Sequence, residues 1–274
     1  MPPTFALGCI PSPPDDRDYH VAAFSPAEMP PLPRRVDYHP LLGPVRDQGP
    51  EGTCVGQTMA GILDELAKAR GWSRFHSARD AYDQARALEP VTGEGAIPRA
   101  VLKAALKVGV ALEADRPYHA GTDAPLGPEG EKHRGQNRIT AYARCQTLDD
   151  LRRGLFLHGP AFLAVPVHEG FLQPSTSGGY VNRTGKLLGS HAIIACGYCE
   201  DAQAFQIRNS WGAGWGYEGD GNAWMRYSYL AGQDGALLPD VEAWQITPGL
   251  TPEGGPLAPL EAFWQAILRL FPKT

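Results

Sequence analysis

The sequence predicts an α+β protein of two lobes, a helical one followed by a strand-rich one, with a cleft between them. Three observations lead there. Apolar residues recur at helical spacing in three successive segments of the first ~110 positions. Beyond Gly159 the pattern changes to short apolar runs separated by glycine clusters. With 274 residues, 43% of them hydrophobic, the chain can bury a sizeable core. Helices and strands segregated along a chain indicate α+β architecture, and the junction of two lobes is a common place for an active site.

Residues 1–31 come first and are rich in proline and acidic side chains, with PSPPDDRDY from Pro11 to Tyr19. Proline at that density forbids helix and central strand, so an extended strap is expected. The main domain spans 32–247. Its helical lobe, about 45–115, opens with a helix over 54–70 that carries Met59, Ile62, Leu63, Leu66 and Ala67, with Gly71 as the C′ residue. Ser77 caps a second helix bearing Ala78, Ala81, Tyr82, Ala85 and Leu88, which ends before Pro90. Pro98 starts a third, with Val101, Leu102, Ala105 and Leu106 on one face and Gly109 after it. Residues 119–138, dense in Gly, Pro and charge, read as a long surface loop.

The strand-rich lobe covers about 139–247. Thr147 and Asp150 form a capping-box variant that opens a short helix with Leu148, Leu151, Leu155 and Phe156 buried. Strands are expected over 161–167, 190–197, 205–209 and 223–227. Residues 248–259 are a Pro/Gly linker. Leu260, Phe263, Trp264, Ile267, Leu268 and Phe271 then repeat as one helical face that must be covered, first by the protein's own body and otherwise by a docking partner for 260–271. Arg269 and Lys273 are too few cations to favour a membrane surface.

Net charge is -5 and the pI about 5.9, so neither nucleic acid nor an acidic membrane is an expected partner. The five cysteines, Cys9, Cys54, Cys145, Cys196 and Cys199, are odd in number and lack framework spacing, which suits a reducing compartment. No basic, apolar leader opens the sequence and no run approaches the ~20 apolar residues of a span. The cytoplasm is the default expectation, with non-classical export left open. No metal or cofactor is expected: the histidines lack ligand spacing, and Gly212, Gly214 and Gly216 lack the strand-to-helix setting of a phosphate loop.

One stretch concentrates chemistry. GPVRDQGPEGTC places Cys54 at a helix N-terminus, where the macrodipole and unpaired N–H groups favour thiolate. Gln48 lies six positions upstream across Gly49, Pro50 and Gly52, so its amide can fold back toward the sulfur. Alone, such a cysteine reads first as a buried structural residue capping a core helix, and partners elsewhere must overturn that. A nucleophile further needs a base, a group that orients the base, and oxyanion donors. His191 begins the apolar strand HAIIACGY. Asn209 ends AFQIRN and precedes SWGAGWG, where Trp211 and Trp215 can roof it. Neighbouring strands would let Asn209 hold the imidazole.

Gln48, Cys54, His191 and Asn209 stand in the order and local settings of papain-like cysteine peptidases. DQGPEGTC resembles that family's Gln-Gly-x-x-x-x-Cys, GSHAIIACGY its His-Ala strand, and IRNSWGAGWG its Asn-Ser-Trp-Gly-x-x-Trp-Gly signature. The resemblance runs from about Leu32 to Ile246. It implies a papain-like two-lobe fold with an antiparallel sheet or barrel in the second lobe, and hydrolysis of a peptide or protein substrate through a thioester acyl-enzyme. In that scheme Cys54 is the nucleophile, His191 its base and later acid, and the pair rests as thiolate and imidazolium. Asn209 orients His191, while the Gln48 amide and the Cys54 N–H form the oxyanion hole. The same triad also serves amidases, deamidases and transpeptidases, and a weakly active relative can act as a binding module through the cleft or the C-terminal helix.

Departures from the family pattern are local. Val55 replaces the usual Trp after the nucleophile, and the framework Cys is replaced around Pro50 to Gly52, so no disulfide is expected. GEGAIPRA resembles the segment that binds substrate backbone, but reads Gly95-Ala96. By position Ile97, Pro98 and Gly189 line the main specificity pocket, with Trp211 also on the substrate side, which suggests an apolar preference two residues before the cut. The first 31 residues differ from the long helical inhibitory prosegment of relatives, so a structural strap is expected there.

Overall fold

A computed structural model describes residues 5–24, 31–118 and 125–248; the 260–271 segment therefore lies outside the described residues. Helix α1 (Cys54–Lys68) is buried from Cys54 to Ala67 and runs through the middle of the molecule. Two small residues let it sit there. A Cβ on Gly56 would fall 2.4 Å from the Ala78 carbonyl oxygen, and one on Gly61 would fall 2.7 Å from the Ile194 side chain. After α1, Gly71 takes a φ of 77° and returns its N–H to the Lys68 carbonyl at 2.9 Å. Helix α2 (Ala78–Leu88) is capped by Ser77, whose Oγ accepts from the Asp80 N–H at 3.0 Å, and α3 (Pro98–Lys107) begins on its proline.

A fourth helix, α4 (Pro128–Gln136), occupies part of the stretch read as loop. Its sequence has two interior glycines and no apolar stripe, so intrinsic preference does not announce it. A tertiary ion pair holds it instead. Arg134 donates from Nε and Nη2 to the two oxygens of the fully buried Asp80, at 3.1 and 2.5 Å, and Asp80 also accepts the Ala111 N–H at 2.8 Å. Removing either partner would strand a buried charge. Helix α5 (Leu148–His158) carries the expected capping box, Thr147 and Asp150 each accepting from the other's backbone N–H.

Eight strands form one sheet: β1 (Arg35–Asp37), β2 (Ile139–Cys145), β3 (Ala161–His168), β4 (Tyr180–Val181), β5 (Leu187–Cys199), β6 (Ala204–Arg208), β7 (Asn222–Arg226) and β8 (Glu242–Pro248). Their order is β2-β8-β3-β5-β6-β7-β4, with β1 paired to β5. All pairs are antiparallel except β4 with β7. The α+β class read from the sequence holds. Strand β8 escapes a pattern reading because it mixes polar residues, Glu242 and Gln245, into its buried positions, and β2 because its buried residues Ile139, Ala143 and Cys145 are mostly small.

This packing fixes the site. Strand β5 starts at the entry of the sheet and lies against α1, so its first buried residue, His191, meets the N-terminus of α1. The loop before α1 is zipped to the loop after β6: Gln48 N–H donates to the Ser210 carbonyl at 2.9 Å, and Gly212 N–H to the Arg46 carbonyl at 3.0 Å. Among the described residues no helix is long and apolar enough to cross a membrane.

Candidate active site

Cys54 is the first residue of α1 and is fully buried. Its sulfur receives the backbone N–H groups of Ala192, Gly8 and Val55, so it lies against the His191-Ala192 step of β5. His191 is also fully buried. Its Nε2 and the Asn209 Oδ1 are 2.7 Å apart, and its other nitrogen, Nδ1, is buried with no hydrogen-bond partner. Asn209 Oδ1 additionally accepts the Ser210 N–H at 2.8 Å, which fixes its amide. Trp211 stacks on the imidazole at 4.4 Å between centroids, and Phe171 packs its edge against both rings. These aromatic walls keep water from the His191–Asn209 bond.

Burial dominates the electrostatics. It pushes the Cys54 thiol up from an ordinary 9.0 to about 11, against the N–H groups that lower it. It pushes His191 down to about 4, against the Asn209 bond that raises it. A thiol raised in this way stays protonated until the pH nears 11, and an imidazole lowered in this way stays neutral until the pH falls toward 4. Burial therefore favours the neutral thiol and the neutral imidazole while the site is covered, in opposition to the helix dipole, which contributes about 1 kcal/mol toward thiolate.

The cause of that burial is the chain's own N-terminal segment, which lies in the cleft. Phe5 stacks on Trp211 at 4.4 Å. The Ala6 carbonyl accepts from Gln48 Nε2 at 3.2 Å, and a Cβ on Gly189 would touch the Leu7 side chain at 2.9 Å. Ala96 N–H donates to the Gly8 carbonyl at 2.9 Å, and Ile10 N–H donates to the Ala96 carbonyl at 3.0 Å. Gly8 is obligatory for this path: a Cβ there would lie 1.9 Å from the Gly52 carbonyl oxygen. Downstream, Ser12 N–H donates to Glu242 Oε2 at 3.0 Å, and the buried Arg99 holds Asp18 at 2.8 Å. The strap expected to brace the body thus runs through the cleft.

Gln48 is buried, and its amide is oriented by neighbours. Oε1 accepts from Ser210 Oγ and Nε2 donates to the Glu51 carbonyl, both at 2.8 Å, which leaves the second N–H of Nε2 for the Ala6 carbonyl in the cleft. Tyr118 O–H donates to the Gln48 carbonyl at 2.8 Å and lies 2.7 Å from Thr53 Oγ1. Where relatives of the motif have a cysteine, the loop is tied by Gly52 N–H to Glu94 Oε2 at 3.1 Å and by an Arg79–Glu51 ion pair. All five cysteines are free.

Of the expected substrate-side residues, Gly95, Ala96, Gly189 and Trp211 meet the strap. Ile97 N-caps and Pro98 begins α3, with the Ile97 carbonyl accepting from Ala100 and Val101. A reading of motifs misses Ser210's second role, Tyr118 and, above all, Glu242. Across the sheet Ala164 is paired with both Ala192 and Glu242, so these side chains share one face. Ala164 and Glu242, with Arg144, Pro166, Gly189 and Ser190, line a cavity of about 200 Å³. Glu242 is buried and accepts from Ser12 N–H and from Trp244 Nε1 at 2.6 Å, with no ion pair among the described residues.

Comparison with known proteins agrees with this geometry. The model of the papain family of cysteine proteases matches residues 32–229. An uncharacterised peptidase C1-like protein of Acanthamoeba polyphaga mimivirus is 29% identical over 69% of this chain and 66% of its own length. Cathepsin B-like cysteine proteinase 4 of Caenorhabditis elegans is 37% identical over 32% of this chain, and the chain spans 26% of that relative. Among solved structures, xylellain, a cysteine protease from Xylella fastidiosa, superposes with a TM-score of 0.72 at 26% identity, covering 88% of this chain and 96% of its own. Procathepsin B S9 of Trypanosoma congolense shares the fold at a TM-score of 0.66 and 16% identity, covering 89% and 87%.

Proposed function

The chain belongs to the papain family of cysteine proteases, and on that premise we propose that it hydrolyses peptide bonds with Cys54, His191, Asn209 and Gln48, and is held latent by its own residues 5–12. One observation carries this reading: the cleft already binds an extended polypeptide by its backbone, with a peptide carbonyl on the Gln48 amide. When the strap leaves, water returns to Cys54 and His191, and the proton moves from sulfur to Nδ1. The thiolate then attacks a substrate carbonyl carbon while Gln48 Nε2 and the N–H at the start of α1 receive the oxyanion. His191, held by Asn209, returns the proton to the leaving amine. Water, activated by the same imidazole, hydrolyses the thioester.

The strap itself escapes cleavage for a geometric reason. Gln48 holds the Ala6 carbonyl, but the sulfur faces the N–H of Gly8, two residues on, so no one carbonyl meets both groups. Gln48→Ala is expected to lower kcat about 100-fold, the ~2.7 kcal/mol at the low end for one oxyanion donor, with the fold intact. Activity equal to wild type would exclude Gln48 from the hole. Mass spectrometry of products from a peptide library separates hydrolysis from deamidation and ligation.

The cavity lined by Gly189 and Glu242 bears on substrate choice. Arg144 and Asp240 also line it but pair with Asp18 and Arg183, whereas the buried Glu242 has two neutral donors as partners, one of them on the strap. Strap release leaves Glu242 Oε2 unpaired, and a basic substrate side chain supplies what it lacks. We therefore replace an apolar preference with an Arg or Lys preference at this pocket. The Arg-to-Leu ratio of kcat/KM is expected to fall on the order of 30-fold in Glu242→Gln, a ratio that is independent of the folded fraction. An unchanged ratio would remove Glu242 from specificity.

A further inference from the structure

The turn that leads to Ala96 is held from behind by a single arginine. Arg86, half-buried on α2, donates from Nη1 to the carbonyls of Gly93 at 2.7 Å and Gly95 at 2.8 Å, and from Nη2 to the Val91 carbonyl at 3.2 Å. Tyr82, one helical turn earlier, accepts the Gly95 N–H on its hydroxyl at 3.0 Å and lies 3.4 Å from Nη1. Among the described residues Arg86 has no carboxylate partner. The acids closest in sequence pair elsewhere, Asp83 with Arg116, Glu89 with Lys103 and Glu94 with the Gly52 N–H. Three of the hydrogen bonds from Arg86 go to carbonyls of one loop.

That loop has little else to define it. Gly93 and Gly95 both take positive φ, 76° and 107°, so Val91 to Gly95 has wide conformational freedom when unheld. Consecutive residues of the extended segment face opposite ways. Gly95 gives its N–H and C=O to Tyr82 and Arg86, while Ala96 gives its N–H and C=O to the chain in the cleft. The segment is thus a one-residue docking edge of the kind that recruits an added strand, clamped on the side away from its ligand. The planar guanidinium reaches several carbonyls at once; a lysine ammonium lacks that fork.

We propose that Arg86, with Tyr82, is a positioning residue that presets the Ala96 edge and so governs how tightly any extended chain, strap or substrate, binds in the cleft. It touches neither the reacting atoms nor the bound chain. The inference rests on the peptidase reading for its substrate half, while its strap half stands on the contacts above. Because strap and substrate share the edge, loss of Arg86 has two consequences of opposite appearance: the thiol becomes easier to reach and peptides bind worse. A general loss of stability does not produce that pair.

The test uses the full chain as wild type, Arg86→Gln, Arg86→Lys and Tyr82→Phe. Iodoacetamide is small enough to reach Cys54 without the Ala96 edge, and its rate is read by mass spectrometry of the Cys54 peptide; KM and kcat are read on a hexapeptide with the same substitutions placed in a Gly8→Val chain, where the strap no longer competes for the edge. In Arg86→Gln, Cys54 alkylation is expected to rise about 10-fold and KM about 10-fold, with kcat within about twofold. Arg86→Lys is expected to fall between, and Tyr82→Phe, which deletes one oxygen, to move both readouts the same way by about threefold. Alkylation and KM within about twofold of wild type in both Arg86→Gln and Tyr82→Phe would overturn the proposal. So would a lower kcat at unchanged KM with the buried Cys145 and Cys196 alkylated alongside Cys54, the signature of lost fold. If no form cleaves any peptide, the peptidase reading fails, and the Cys54 alkylation rates still decide the role of Arg86.

Discussion

Replacement of His191 by alanine is expected to lower kcat/KM on a peptide substrate by about 10⁴-fold or more, because it removes the proposed base, which Asn209 holds and which precedes Ala192, whose N–H faces the Cys54 sulfur. The residue is fully buried and stacked on Trp211, so the variant leaves a cavity, and its fold is checked by the near-ultraviolet signal of that tryptophan. The comparison belongs in a background with a released strap, since a latent parent would hide most of the loss. A loss of less than tenfold there would mean that His191 does not carry the proton.

Replacement of Gly8 by valine acts in the opposite direction. Any Cβ at position 8 collides with the Gly52 carbonyl oxygen, so the strap must leave its track along Ala96. What it gives up is the contact of Gln48 with Ala6, two hydrogen bonds to Ala96, the Cys9 N–H bond to Ser190 and the stack of Phe5 on Trp211. At about 1 kcal/mol each these sum to ~4 to 5 kcal/mol, so peptide hydrolysis by the full chain is expected to rise about 1000-fold. Position 8 lies outside the proposed machinery, and the segment 13–24, held by Arg99 and Asp18, stays in place. Equal rates in Gly8→Val and wild type would show that the strap is no barrier.

The residues that join motif to chemistry were legible because each sits in a local pattern: Cys54 at a helix start, His191 at a strand entry, Asn209 before a tryptophan-rich loop. The main helices were legible for the same reason, since caps at Ser77, Pro98 and Thr147 and the apolar stripes behind them are short-range signals. What escaped was long-range. Gly8 looks like any loop glycine until Gly52 is seen pressed against it. Glu242 reads as a surface charge, and only the β3–β8 register brings it to the cleft beside Ala164. Helix α4 depends on Arg134 meeting Asp80 across more than fifty residues, a partnership that no propensity records. The burial that raises the Cys54 thiol and lowers His191 involves a segment that arrives from the N-terminus, which no pattern around Cys54 records.

Labelling of Cys54 by a peptidyl epoxide at pH 5.5 tests the central claim most directly, because an ordinary thiol is inert there and only a thiolate paired with imidazolium reacts. The account predicts stoichiometric modification of Cys54 alone in Gly8→Val, a rate about 1000-fold lower in the wild-type chain, and none in Gly8→Val carrying His191→Ala. Absence of labelling in Gly8→Val, or equal labelling of Gly8→Val and wild type, would contradict it.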